Sequence, residues 1–228
     1  DDWDMTTSSI PEETTDVFSD YRVIPTGIKH GTVTVLVEDT PFEVTTYRVD
    51  GKYEDSRHPK EVIFTANLIE DLKRRDFTIN ALAMTEKLKV IDLCDGLKDL
   101  KRKRIRVIGR GKKRFKEDPL RILRGFELIA RFGYHFAFNT AKGIEQSAKL
   151  LVNVSDTKLN EKMFILFDAK YGKKALKQMM KLKVSEELRG YAKGIPFVMK
   201  NFNKLSIEEK FALCYYLHGE IPLNTSFD

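Results

Sequence analysis

The chain holds 228 residues, 42% of them hydrophobic, enough for one large domain or two to three small ones with modest cores. Its 40 Lys and Arg against 34 Asp and Glu give a net charge of +6, which favours a polyanionic partner, and no apolar run approaches the ~20 residues that cross a bilayer. Cys94 and Cys214 stand far apart with no CxxC or Cys/His spacing, which argues against a disulfide framework or a zinc site and fits a reducing cytosol.

In chain order, Asp1-Asp2-Trp3-Asp4 lacks an initiator methionine and Ser226-Phe227-Asp228 carries no ending signal, so the sequence reads as a piece of a longer chain. Asp2 and Asp4 stand at i and i+2, which on an extended strand places both carboxylates on one face, close enough to share a divalent cation. Two such cations held ~4 Å apart activate an attacking hydroxyl and stabilise a leaving phosphate. A solvated, frayed chain end is the competing reading.

Thr32 to Val37 is β-branched in nearly every position, Glu38 to Pro41 reads as a turn, and Phe42 to Tyr47 alternates again, so a hairpin is expected. Phe42, Val44 and Thr46 then share one face and Glu43, Thr45 and Tyr47 the other. Glu43 is thereby placed to complete a three-carboxylate metal site, or to be an ordinary exposed strand residue. Arg48 to Lys60, with Gly51, Pro59 and seven charged residues, is expected to be a loop.

Val62 to Phe64 reads as a short strand, Leu68 to Met84 as a helix, and Val90 to Leu93 as a strand ended by an Asp95-Gly96 turn. On the expected helix Asp76 and Asn80 are i, i+4 and share a face, with Arg75 at the same end. An Asp/Asn pair can bind ribose hydroxyls and an arginine can clasp a triphosphate, although local Arg–Asp salt bridges would equally explain the pattern.

Gly96 to Lys116 is densely basic, which suits either a solvated face or a nucleic-acid backbone, and its GRGKKR does not match a P-loop. Arg114 to Arg131 has a helical apolar face, with Asp118-Pro119 resembling an N-cap followed by proline. Asp118, Arg121 and Arg124 project towards one region, where a carboxylate beside a guanidinium offers the acceptors and donors that reading a base edge requires. Capping and base reading compete for the Asp118 side chain. Further helices are expected near Thr140 to Val152, Lys158 to Tyr171, Lys173 to Lys183 and Ile207 to His218.

Taken together these motifs resemble the class II nucleotidyltransferases, the bacterial-type tRNA CCA-adding enzymes and their poly(A) polymerase relatives. The resemblance runs from Asp2 to about Tyr134, carried most specifically by RRDFTINALAM and EDPLRILRGFELIARFG. It implies an α+β fold: a polymerase-β-like nucleotidyltransferase head with a mixed or antiparallel sheet, followed by an all-helical neck and body. The expected domains are a head over 1–101, a base-recognising neck over 102–175 and the start of a body over 176–228.

By this resemblance Asp2 and Asp4 hold two Mg²⁺ ions for two-metal nucleotidyl transfer, and Glu43 is the third catalytic carboxylate. Arg75, Asp76 and Asn80 bind the ribose, and Asp118 and Arg121 pair with the Watson–Crick edge of CTP or ATP, supported by Glu117 and Arg124. The implied partners are the tRNA 3′ end, CTP and ATP in the cytoplasm, with no membrane and an open oligomeric state.

Two departures stand out. The family's GGxVRD element would precede Asp1, and its Ser-x-Glu-Arg motif is replaced by Ser155-Asp156-Thr157-Lys158. The full-length Asp50 to Pro59 loop resembles CCA-adding or A-adding enzymes rather than CC-adding ones. An A-adding enzyme or poly(A) polymerase is the runner-up, and a catalytically inactive RNA-binding paralogue is the alternative of another class.

Overall fold

A computed structural model describes residues 4–51 and 62–219. Asp2 and most of the expected Arg48 to Lys60 loop lie outside the described residues. The chain forms two compact units, one comprising Asp1–Arg75 and Ala81–Cys94, the other Asp76–Asn80 and Asp95–Asp228.

The first unit contains β1 (Asp4–Thr7), α1 (Pro11–Val17), β2 (Arg22–Gly27), β3 (Thr32–Val37), β4 (Thr40–Thr46), β5 (Arg48–Asp50), β6 (Val62–Phe64), α2 (Leu68–Arg74), β7 (Leu82–Met84) and β8 (Val90–Asp92). Its main sheet has the order β1-β4-β3-β2, with β1 parallel to β4 and the other pairs antiparallel, so the sheet is mixed as expected. The β3–β4 hairpin turns through Glu38 and Asp39, both with positive φ, the geometry whose twist matches the flanking strands. Val33, Val35 and Val44 are buried on one face with Phe18, Val23 and Val37 against them. The other face is polar: Thr26 and Thr34 hydroxyls are linked at 2.8 Å, Thr32 and Thr45 at 3.0 Å.

The second unit contains α3 (Gly96–Lys101), β9 (Arg104–Ile105), α4 (Gly111–Glu117), α5 (Leu120–Phe132), β10 (His135–Phe136), α6 (Phe138–Ser147), α7 (Asp156–Asp168), α8 (Gly172–Lys181), α9 (Ile195–Asn201) and α10 (Ile207–His218). One core runs through it, from Phe77, Ile105 and Phe115 through Ile122 and Phe126 to Met163, Leu176 and Tyr191. The later helices fall close to the expected segments. The two-residue strands β9 and β10, which pair in parallel, had no sequence signal.

The expected helix over Leu68 to Met84 is a correction. α2 stops at Arg74, Arg75 is extended, Thr78–Asn80 is a single 3-10 turn, and Leu82–Met84 is strand β7. The reason lies in the backbone: Thr78 N–H donates to Arg106 O at 2.9 Å and Ile108 N–H to Asp76 O at 3.0 Å, so these groups are satisfied across the chain rather than within a helix. Phe77 is fully buried at this crossing.

The helix expected over Arg114 to Arg131 is likewise two helices, broken at Asp118-Pro119. Asp118 takes φ −148° and ψ 101°, as a residue before proline must when the ring clashes with an α conformation.

Candidate metal and nucleotide sites

In the first unit β1 pairs with β4 so that Asp4 is opposite Glu43. Registered neighbours on adjacent strands point to the same face about 4.8 Å apart, so the two carboxylates stand side by side on the polar face. Both are exposed, and neither has an ion-pair partner among the described residues. Two like charges at this separation repel, and a divalent cation between them removes the repulsion while using oxygen donors of the kind such ions prefer. The donor set therefore fits a hard cation. No group of three or more metal-binding side chains occurs among the described residues, and Asp2, the expected third carboxylate, lies outside them.

Arg75 is placed otherwise than its spacing suggested. The fully buried Asp71 accepts from Arg74 Nε at 2.9 Å and Nη2 at 2.7 Å, from Arg75 Nη2 at 3.3 Å and from the Arg48 N–H at 3.2 Å. Asp71 is thus the anchor of both arginines, and sequence reasoning missed it. Its signal was present: an acid three and four residues before two arginines on one helix. Burial, and then the Asp71 charge, raise the Tyr47 phenol above its ordinary pKa.

In the second unit Asp76 and Asn80 do come together, although not on an α-helix. Asp76 Oδ1 accepts from the Phe77 N–H at 2.7 Å and from Asn80 Nδ2 at 3.1 Å. Arg124 Nε lies 3.0 Å from Asp76 Oδ2, an ion pair without aligned hydrogen-bond geometry, so this buried oxygen keeps acceptor capacity. Asn80 and Arg124 are exposed beside it. Behind the turn, Asp99 accepts from Thr78 Oγ1 at 2.8 Å and Arg106 Nη2 at 2.7 Å, a support that the sequence did not reveal because its members lie far apart in the chain.

The α4–α5 corner gathers the rest. Asp118 Oδ1 accepts from the Leu120 N–H at 2.9 Å, capping α5, while Oδ2 lies 3.9 Å from Arg121 Nε. The cap and the guanidinium thus face different oxygens of one carboxylate. Glu117 Oε2 accepts from Arg121 Nη1 at 3.2 Å and from Arg114 Nη1, and Arg121 Nη1 also donates to Arg114 O at 3.2 Å. Arg121 is only 5% exposed, so its guanidinium is held in one orientation rather than free to follow any ligand. Arg114, absent from the expected set, is the part that fixes Glu117. The corner presents carboxylate acceptors and guanidinium donors with preset directions, the chemistry for pairing with a planar base edge.

Residues 1–106 match the Poly A polymerase head domain family. The CCA-adding enzyme of Lactobacillus delbrueckii subsp. bulgaricus is 42% identical over 191 residues, covering 84% of this chain and 48% of that protein. The CCA-adding enzyme of Streptococcus uberis is 48% identical over 154 residues, covering 68% of this chain and 38% of that protein. The crystal structure of the Bacillus stearothermophilus CCA-adding enzyme in complex with CTP superposes with a TM-score of 0.78 at 30% identity, covering 95% of this chain and 57% of that one. The chain thus spans about half the length, or less, of these two curated relatives.

Proposed function

The chain belongs to the class II nucleotidyltransferases, the family of CCA-adding enzymes and poly(A) polymerases, and on that premise we propose that the protein adds CCA to the 3′ end of tRNA from CTP and ATP. The activity that the relatives' names state supports this reading. The observation that carries it is the α4–α5 corner, where Glu117, Asp118 and Arg121 are mutually oriented, so that protein side chains rather than a nucleic-acid template select the base.

Roles follow from the chemistry. Asp4 and Glu43, with Asp2, would hold two divalent cations, which we take to be Mg²⁺; bound there, they would make the tRNA 3′ hydroxyl a better nucleophile and neutralise charge on the departing pyrophosphate. Asp76 and Asn80 accept from and donate to ribose hydroxyls, which selects ribonucleotides, while Arg124 pairs with Asp76 Oδ2. Arg75, steadied by Asp71, offers a guanidinium to phosphate oxygens. Asp118 and Arg121 pair with the Watson–Crick edge, with Glu117 fixing the arginine. We assign the head to 1–101, the neck to 102–175 and the start of the body to 176–228, and place the reaction in the cytoplasm. No helix among the described residues is long and apolar enough to cross a membrane.

The test uses the protein, Mg²⁺, and tRNA transcripts ending before CCA, after C, or after CC, each offered CTP and ATP singly and together. Ordered addition of C, C and A that then stops is expected. Addition of A to the CC-ended transcript alone means an A-adding enzyme, and a tail that does not stop means a poly(A) polymerase. RNA binding without incorporation means an inactive paralogue.

A further inference from the structure

Between Asp168 and Ser185 the sequence holds Lys170, Lys173, Lys174, Lys177, Lys181 and Lys183 and no acidic residue. This short stretch carries as many positive charges as the whole chain's net +6. On α8, Lys173, Lys177 and Lys181 follow one another at four-residue spacing, a line of ammonium groups about 6 Å apart. All six lysines are exposed, and none has an ion-pair partner among the described residues. Glu127, the acid on the C-terminal half of α5, is already taken by Arg131 at 2.8 Å and Lys162 at 2.8 Å. Six like charges without counter-ions repel one another, a cost that a polyanion lying along them relieves.

The line begins at a built aromatic surface. Gly133 closes α5 with φ 68°, and the Tyr171 ring lies so close against it that a Cβ there would meet the ring at 3.0 Å. Phe132 and Tyr134 flank the glycine with ring centroids 5.6 Å apart. Tyr171 N–H donates to Ala130 O at 2.9 Å and Lys174 Nζ to Gly133 O, which ties the start of α8 to the end of α5. Phe132 is half exposed, and Lys170 lies over the Tyr171 ring.

We propose that α8 and this ring cluster form a docking surface for RNA, the lysines following the phosphate backbone and the half-exposed Phe132 ring offering a face for an unpaired base. A membrane is the poorer fit. A helix that binds a bilayer buries an apolar face in it, whereas Ala175, Leu176 and Met179 of α8 are fully buried within the protein. The surface rests on the functional reading above and adds to it a second contact on the same helix. Arg121 stands near the start of α5 and Phe132 at its end, eleven residues on, which is about 16 Å. RNA held at one end of α5 would leave the selecting corner at the other end for the nucleotide.

The test replaces Lys173, Lys177 and Lys181 together (Lys173→Gln, Lys177→Gln, Lys181→Gln) and measures tRNA affinity against salt. Three lost phosphate contacts remove about 2.7 from the slope of log affinity against log salt, so between roughly 50 and 200 mM the parent should lose about 40-fold more affinity than the variant. CTP affinity should be unchanged and the thermal unfolding temperature unchanged or slightly raised, since the three side chains are exposed, repel one another and lie outside the selecting corner. An unchanged slope would overturn the surface, and nucleotide incorporation by the same protein would show that the functional reading survives. Binding of the parent to phosphatidylserine vesicles but not to RNA would overturn it in favour of a membrane.

Discussion

Asp4 on β1 and Glu43 on β4 are paired in register across a parallel strand junction, 39 residues apart in sequence and side by side on an exposed face. Because neither side chain is built into a core, replacing either should remove chemistry and leave the fold. Asp4→Asn and Glu43→Gln should each lower nucleotide incorporation by at least about 100-fold. The unfolding free energy should stay within about 0.5 kcal/mol of the parent. Single-turnover incorporation and urea unfolding, measured on the same preparations, check both parts, and a destabilised Glu43→Gln would make Glu43 a structural residue.

Arg121 is oriented by Glu117 and Arg114 O and faces Asp118. Arg121→Lys should keep a positive charge but lose the fork. The ratio of CTP to ATP incorporation on a CC-ended transcript should therefore move towards one by about 10-fold or more, with little change in tRNA affinity. Equal selectivity in the variant would confine Arg121 to a helix-packing role.

Asp99 holds the 76–80 turn from behind through Thr78 and Arg106. Asp99→Ala leaves the buried Thr78 hydroxyl without its acceptor and should cost about 2–3 kcal/mol, kept to that range because Arg106 is one-third exposed and regains water. Nucleotide affinity should fall with it, since Asp76 and Asn80 sit on that turn. Denaturant unfolding and CTP titration read the two effects separately.

Gly125, next to Arg124 on α5, has no room for a side chain: a Cβ would meet Phe136 at 2.9 Å and Phe77 at 3.0 Å. Gly125→Ala raises helix propensity, yet it should destabilise by about 1–3 kcal/mol, because both rings are buried and must shift. Thermal unfolding checks the sign.

Burial pushes the Cys214 thiol from 9.0 up to about 12, and burial followed by the hydrogen bond it shares with the Tyr215 hydroxyl raises the Tyr191 phenol as well. Both groups stay protonated in the fold at pH values where the unfolded chain releases the proton. The Cys214 contribution is complete below pH 9.0 and is lost as pH rises towards about 12, and that of Tyr191 is complete below pH 10.0 and falls above it, at about 1.4 kcal/mol per pH unit for each group titrating. Stability measured from pH 8 upward should fall in that window, and at pH 8 a thiol reagent should modify Cys94 in the native protein and Cys214 only after unfolding.

The β3–β4 hairpin and the apolar face of α5 were legible because alternation and helical periodicity are properties of neighbouring residues. So was the Asp118 cap, which depends on the proline beside it. The 76–80 segment was misread as helix for the opposite reason. Its backbone groups bond to Arg106 and Ile108, some thirty residues on, and local propensity carries no record of such a partner. The same distance hid Asp99 and Arg106.

Residue order alone thus settled which side chains carry charge, which strands and helices have an apolar face, and which motifs mark the family. The tertiary fold decided that Asp4 stands beside Glu43, that Arg75 answers to Asp71 rather than Asp76, and that Asp76 meets Arg124. The first and the last depend on hydrogen bonds or packing between segments far apart in sequence, which form only when burial of the whole core offsets the entropy of closing the chain between them, and the second follows from the end of α2 at Arg74, which puts Asp71 within reach of Arg75.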